Sequence, residues 1–311
     1  MSKKILLIYT GGTVGMIKDK KKNTLIPFNF KALLNAIPEL DKMSWELDNV
    51  SINKPIDSSN MNITIWQEIA EIIQKHYNTY DGFVVLHGTD TMAFSASALS
   101  FMLEHLNKAV IFTGSQIPIG VSRTDAKENI ITSIEIAAST KIREVCIYFE
   151  SKLYKGNRTT KINTEDFEAF QSPNHPILAD IGVNIKYKTT QKKHKKELII
   201  HSDLSNDIAI LKLFPSISLN TVSAILNSAK AIIIESFGAG NAATNPNLIA
   251  LLRKANENKK ILLNITQCLY GSVVKGQYES NKLFKNSGVI SGKDLTTEAA
   301  VTKLMFLLAQ N

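Results

Sequence analysis

The chain has 311 residues, 44% of them hydrophobic, and 36 basic against 28 acidic side chains give it a formal net charge of +8. That length supplies a large core and predicts two domains. No uninterrupted apolar stretch approaches ~20 residues, so no membrane-spanning helix is expected, and two cysteines, Cys146 and Cys268, make no disulfide framework.

The start, Met1-Ser2-Lys3-Lys4, is basic, but the apolar run after it is short and enters glycines. It reads as a first strand over Lys4–Tyr9 and not as an export leader, so a cytoplasmic location is expected. The stretch Tyr9-Thr10-Gly11-Gly12-Thr13-Val14 follows. Ile65, Ile69, Ile72, Ile73 and His76 recur at helical spacing, with Asn62 as the cap. Gly82–Leu86 reads as a buried strand, and it runs into Leu86-His87-Gly88-Thr89-Asp90-Thr91. A helix over Met92–Leu106, a strand over Ala109–Thr113, a helix over Ala126–Ala138 capped by Asp125, and a strand over Glu144–Phe149 come next. The segment Lys186–Lys196 is polar and basic and reads as a connector. Beyond it come a strand over Ile208–Leu213, a helix over Leu219–Ser228 and a strand over Ala231–Glu235. A helix over Asn247–Asn256 opened by Pro246, a strand over Ile261–Ile265 and a helix over Thr296–Leu308 complete the pattern. Continuously apolar strands alternating with helices predict an α/β fold with a mostly parallel sheet. The expected organisation is a larger domain over 1–185, a basic linker over 186–196 and a smaller α/β domain over 197–311.

The positive charge concentrates in two clusters. One holds Lys18, Lys20, Lys21 and Lys22; the other holds Lys186, Lys188, Lys192, Lys193, Lys195 and Lys196 around His194. Neither carries a recognition motif, so both are read as solvated loops and no nucleic-acid partner is expected. The six histidines fall in no zinc motif, and no metal or other cofactor is expected.

The chemistry-bearing stretches stand where two strands end, the edge of a parallel sheet where ligands bind. Gly11 and Gly12 permit close backbone approach. Thr10 and Thr13 bracket them with hydroxyls, and Thr89 and Asp90 add a hydroxyl and a carboxylate. Neither the Walker pattern nor the dinucleotide fingerprint is present. The residues alone leave a turn, a nucleotide loop and a small polar ligand site all open.

Taken together, Thr10-Gly11-Gly12-Thr13, Asp57-Ser58-Ser59-Asn60-Met61, His87-Gly88-Thr89-Asp90-Thr91, Thr113-Gly114-Ser115-Gln116, Arg158-Thr159-Thr160-Lys161, Ser236-Phe237-Gly238-Ala239-Gly240-Asn241 and Asn264-Ile265-Thr266-Gln267-Cys268 resemble the bacterial-type L-asparaginases, in their cytoplasmic type I branch. The segments stand in family order along almost the whole chain. The resemblance implies the two-domain asparaginase-like fold and hydrolysis of L-asparagine to L-aspartate and ammonia. It implies Thr13 as primary nucleophile, with Thr89, Lys161 and Asp90 as the proton-handling group. An alternative gives Thr89, activated by Lys161, one chemical step and Thr13 the other. It further implies Asp90 as acceptor of the substrate ammonium, Ser58 and Ser59 as holders of its carboxylate, and Gly88 or the Gly114-Ser115 loop as oxyanion support. Asn241 would reach a neighbouring subunit's pocket in a homodimer or a dimer-of-dimers tetramer.

The sequence departs from the family pattern in three places. No tyrosine lies between Thr13 and Pro27, where many members carry one on a mobile loop; Leu25 stands there, and Lys18–Thr24 reads as a polar lid. Asn60 replaces a common acid. Glu235 stands where type I relatives carry an arginine near a second, regulatory asparagine site, so substrate activation is not expected. The family pattern also predicts a further C-terminal helix after Leu308. A broader asparaginase-glutaminase, the amidase subunit of a tRNA-dependent amidotransferase, and a non-catalytic amino-acid sensor remain as rival readings. Against the amidotransferase stands the first threonine motif at residue 10, because those subunits carry an additional N-terminal domain.

Overall fold

A computed structural model describes residues 2–12, 14, 16–19, 24–27, 37–274 and 279–310, which form two compact units, Met1–Ser202 and Asp203–Asn311. No helix among the described residues is long and apolar enough to cross a membrane.

The first unit is built on an eight-stranded mixed sheet. Its strands are β1 (Lys4–Gly11), β2 (Glu46–Ile56), β3 (Gly82–Leu86), β4 (Val110–Thr113), β5 (Val145–Phe149), β6 (Lys152–Lys155), β7 (Ala179–Ile181) and β8 (Ile185–Tyr187). Their order is β8-β7-β6-β5-β4-β3-β1-β2. The pairs β2/β1, β1/β3, β3/β4 and β4/β5 are parallel, and the three pairs from β5 to β8 are antiparallel. The parallel strands β3, β4 and β5 are buried along their whole length, as continuous Val/Ile/Phe runs require when both faces are covered. Helices α1 (Ile63–His76), α2 (Met92–Met102) and α3 (Ala126–Ala138) supply the crossovers.

The chain leaves β1 toward β2 on one side and leaves β3 toward β4 on the other. The loops after β1 and β3 therefore diverge from adjacent strand ends, the topological switch point at which open parallel sheets bind ligands.

In the second unit, β9 (Ile208–Lys212), β10 (Ala231–Ser236), β11 (Ile261–Thr266) and β12 (Ile290–Ser291) form a parallel four-stranded sheet in that order. Helices α4 (Leu219–Ser228), α5 (Pro246–Glu257), α6 (Glu279–Asn286) and α7 (Thr297–Ala309) accompany it.

Several local expectations change. The helix over Met92–Leu106 ends at Met102, because Leu103–Glu104 pairs with Ile199–Ile200 and His105 turns left-handed at φ 61°. Lys18–Thr24 is not wholly a loop: Met16–Asp19 pairs antiparallel with Thr24–Pro27, with Lys18 opposite Leu25. The connector expected at 186–196 begins inside β8, and the compact units divide after Ser202. Both cysteines are free, Cys146 buried and Cys268 exposed.

Candidate active site

The site starts from backbone contact. Gly12 sits at φ 80°, and its N–H donates to the Ile56 carbonyl at 3.0 Å. A Cβ at Gly12 would lie 2.3 Å from the Gly88 nitrogen, and one at Gly88 would lie 2.5 Å from Ser58 Oγ. Three loops, after β1, after β2 and after β3, thus meet at van der Waals distance where only glycine fits. The Thr10 hydroxyl closes the same corner by donating to the Leu86 carbonyl at 2.9 Å, which spends it on structure.

Ser58 opens a short 3-10 turn, Ser58–Asn60, whose entry is fixed by the Asp57 carboxylate accepting from the Ser59 amide at 2.8 Å. Thr91 donates to the Ser58 carbonyl at 2.7 Å and ties this turn to the loop after β3. Ser58 is buried and Ser59 exposed.

Lys161 comes from a two-residue strand, Thr160–Lys161, that pairs with Phe170–Gln171; Phe170, opposite Lys161, packs its ring 5.0 Å from Phe149 at the end of β5. From that anchor, Lys161 Nζ donates to Thr89 Oγ1 at 2.8 Å and to Asp90 Oδ1 at 2.7 Å. The lysine side chain is 15% exposed and the aspartate 61%, so the carboxylate faces solvent while the ammonium is covered. Thr89 accepts from the lysine and donates in turn to Gln116 Oε1 at 3.3 Å.

Gln116 closes the Thr113-Gly114-Ser115-Gln116 motif, whose sequence alone assigns it no role. Its amide nitrogen donates to the Asp166 carbonyl at 3.1 Å, in the loop between Lys161 and Phe170. It therefore spans the hydroxyl and the loop that presents the lysine. Asp125 holds Gln116 in place. Expected as a helix cap, Asp125 does occupy that position on α3, but its side chain makes no cap hydrogen bond. Its carboxylate instead accepts from the Gln116 and Ile117 amides at 2.9 and 3.1 Å, and from Asn129 Nδ2 at 3.1 Å. Asn129 also donates to the Gly114 carbonyl at 3.0 Å. Ser115 is buried, and its hydroxyl has no hydrogen-bond partner among the described residues.

His87 is fully buried beneath the loop, and burial pushes its imidazole down to about 4 despite the opposing hydrogen bond to Gly88. The neutral ring has one consistent proton arrangement. Trp66 Nε1–H donates to Ser95 Oγ at 2.9 Å, Ser95 donates to His87 Nε2 at 2.8 Å, and His87 Nδ1–H donates to the Gly88 carbonyl at 2.7 Å. The histidine orients the Gly88–Thr89 peptide. No sequence pattern linked Trp66 or Ser95 to it, since the three lie on different elements.

The structure thus brings Ser58, Gly88, Thr89, Asp90, Gly114, Ser115 and Lys161 into one corner of the first unit. Thr13 lies outside the described residues. Asn241 belongs to the second unit, where its N–H donates to the Phe237 carbonyl at 2.7 Å. Among the described residues no group of three histidine, cysteine or acidic side chains is placed to hold a metal.

Comparison with known proteins gives the same answer as the motifs. The family model for the asparaginase N-terminal domain matches residues 4–193, and that for the glutaminase/asparaginase C-terminal domain matches residues 207–311. The chain is 42% identical to L-asparaginase 1 of Escherichia coli K12, over 99% of this chain and 92% of that protein. It is also 40% identical to the 60 kDa lysophospholipase of Mus musculus, over 99% of this chain and 59% of that longer protein. The crystal structure of L-asparaginase I from Vibrio cholerae superposes with a TM-score of 0.92 at 40% identity, covering 100% of this chain and 94% of that one. The chain belongs to the asparaginase family, in its type I branch, and has the two-domain α/β asparaginase fold. With membership comes the family's general amidohydrolase activity.

Proposed function

We propose that this protein hydrolyses the side-chain amide of L-asparagine to L-aspartate and ammonia through a threonine nucleophile. The observation that carries the reading is the covered Lys161 ammonium held at 2.8 Å from Thr89 Oγ1 and 2.7 Å from Asp90 Oδ1, at the sheet's switch point.

Thr13 Oγ attacks the amide carbon and its proton passes, through the Thr89–Lys161 group, to the departing nitrogen. Ammonia leaves, and an aspartyl ester on Thr13 remains. Water then attacks that ester, its proton returns to the Thr13 oxygen, and L-aspartate is released. A hydroxyl needs such an activating group to attack at neutral pH, and the Lys161 amine accepts the proton only in its neutral form. The exposed Asp90 carboxylate is suited to that ammonium, and Ser58 and Ser59 to the α-carboxylate. The Ser115 hydroxyl, which has no partner among the described residues, and the Gly88 and Gly114 backbone are suited to the developing oxyanion. The first unit, Met1–Ser202, would then carry the nucleophile and substrate loops. The second unit, Asp203–Asn311, would contribute Asn241 to a neighbouring subunit's pocket in a homodimer or tetramer.

The test is ammonia release from L-asparagine and L-glutamine by the parent, Thr13→Ala and Thr89→Ala. Turnover of asparagine lost in both variants is expected. Undiminished turnover in Thr13→Ala would remove the nucleophile, and tight aspartate binding by a parent that releases no ammonia would leave only a sensor.

A further inference from the structure

At the opposite end of the same sheet, the chain enters β3 and β4 beside a cavity of about 480 Å³. Lys108, Lys193, Lys195 and Lys196 line it against one carboxylate, Glu197, with Tyr77 at the wall. A volume in the range of about 300–1,000 Å³ is that of small-molecule sites. Its position separates it from the chemistry: Asn107 and Lys108 precede β4, whereas Gly114 and Gln116 follow it.

The basic segment read from the sequence as a solvated connector is fixed in place. Arg143 does much of this, its N–H donating to Gln191 Oε1 at 2.5 Å, its Nε to the Gln191 carbonyl at 3.3 Å and its Nη1 to the Asn107 carbonyl at 2.7 Å. Asn107 then clamps His194 from both sides, accepting from its N–H at 2.6 Å and donating to its carbonyl at 3.3 Å. The Asn107 N–H donates to the Tyr77 hydroxyl at 2.7 Å, which ties the clamp to the residue capping α1. Lys193 and Lys195, on either side of the clamped residue, are thereby presented at the cavity without the entropy loss that an unheld loop would suffer. Among the described residues, Lys193, Lys195 and Lys196 have no carboxylate within 4.0 Å. Lys108 is committed instead, donating to the Tyr77 and Tyr80 carbonyls. Burial lowers its pKa; Asp81 opposes that effect, and Lys3 and Lys193 add to it.

We propose that this cavity binds a small, multiply charged anion of the oligophosphate class, a function separate from amide hydrolysis and independent of the reading above. Convergence on a pocket, and not along a groove, favours a compact anion over a nucleic-acid strand. Tyr77, in the wall, is already engaged, lying parallel to Phe83 at 6.2 Å with Lys108 Nζ 4.7 Å from its ring centroid.

The experiment is titration calorimetry of the full chain with inorganic tripolyphosphate at about 50 mM and about 200 mM salt. Saturable binding that weakens with salt is expected, with Lys193→Glu and Lys195→Glu each weakening it about tenfold. Lys254→Glu, on the last turn of α5 in the other unit, makes the same change in net charge and should leave affinity within about twofold. Asn107→Ala keeps every lysine but removes the clamp, and is expected to weaken binding while asparagine turnover holds. Equal losses in Lys193→Glu and Lys254→Glu would reduce the effect to net charge and overturn the site. So would the absence of saturable heat with the parent. Tighter binding of a single-stranded RNA, lost in the same lysine variants, would replace the small anion with a nucleic acid.

Discussion

The His87 relay makes a prediction in which stability and catalysis separate. Consider acidification of the parent beside His87→Asn. The folded imidazole titrates near about 4 and the unfolded one near 6.5, so between those values the unfolded chain binds a proton that the folded chain refuses. The stabilisation conferred by the neutral buried ring is fully present above about pH 6.5 and is lost as pH falls toward about 4. At 1.36 kcal/mol per pH unit the loss approaches about 3 kcal/mol. In His87→Asn that pH-dependent part is absent. The variant instead loses the bond from Ser95 and leaves that hydroxyl poorly paired, a cost of about 1–3 kcal/mol at any pH. Urea midpoints measured from about pH 7.5 down to about pH 4.5 should therefore show the variant weaker at neutral pH, with the gap closing under acid. Parallel curves for the two proteins would refute the assignment of a neutral, buried ring. The catalytic readout points the same way. A ring that orients the Gly88–Thr89 peptide lowers kcat when replaced but leaves the shape of the pH–rate curve between about pH 6 and 8 intact. Loss of one limb of that curve would make His87 a proton carrier.

Three further substitutions probe the corner around it. Lys161→Met should lower kcat by at least about 10³-fold while melting changes little, because the Lys161–Asp90 pair opens on solvent at the aspartate and such pairs contribute about 0–1 kcal/mol; a large melting shift with retained turnover would contradict the role. Gly12→Ala would place a methyl 2.3 Å from the Gly88 nitrogen at a φ of 80°, and should destabilise by several kcal/mol, about 2–5, and separate the two loops; wild-type melting and turnover would show that the loops do not touch. Asp125→Ala leaves the Gln116 and Ile117 amides without their acceptor. It should cost about 2–4 kcal/mol and raise KM, checked by melting and by asparagine saturation curves.

Much of the fold was legible because its strands are uniform. Val84, Val85, Ile111, Phe112 and Ile147 belong to runs buried on both faces, and an apolar run without alternation has few other places to go in an α/β unit. The strand β2 escaped notice for the opposite reason. It is the sheet's edge, Glu46–Ile56 carries acids, asparagines and Pro55, and within it only Ile52 is buried, so its apolar signal is diluted by residues that face water. The antiparallel strands β7 and β8 are three residues each, too short for a period to register. Asp125 shows how a correct local rule can point to the wrong partner. The sequence offers an acid ahead of a helix, and capping is the nearest use; a loop nine residues earlier in the chain supplies amides that outcompete the helix's own.

The candidate site divides along the same line. Thr89, Asp90 and Lys161 could be named from motif chemistry, yet the sequence separates Thr89 from Lys161 by 72 positions, and nothing local says that Nζ will reach Oγ1. What brings them together is backbone geometry. Gly12 against Gly88, and Gly88 against Ser58, let three strand-end loops touch, while Gln116 and the loop through Asp166 bring the lysine to the hydroxyl. A site assembled in this way tolerates little displacement, because each loop is the neighbour's wall. The groups that set its precision are therefore Asp125, Asn129, Ser95 and Trp66, none of which touches Lys161 or Thr89 directly in the hydrogen-bond network. Substitutions there should degrade kcat in proportion to how far they let Thr89 move, and the order expected from the network is Asp125 before Ser95 before Trp66. Asp125 secures two backbone donors of the Gln116 loop, Ser95 secures one ring, and Trp66 acts only through Ser95.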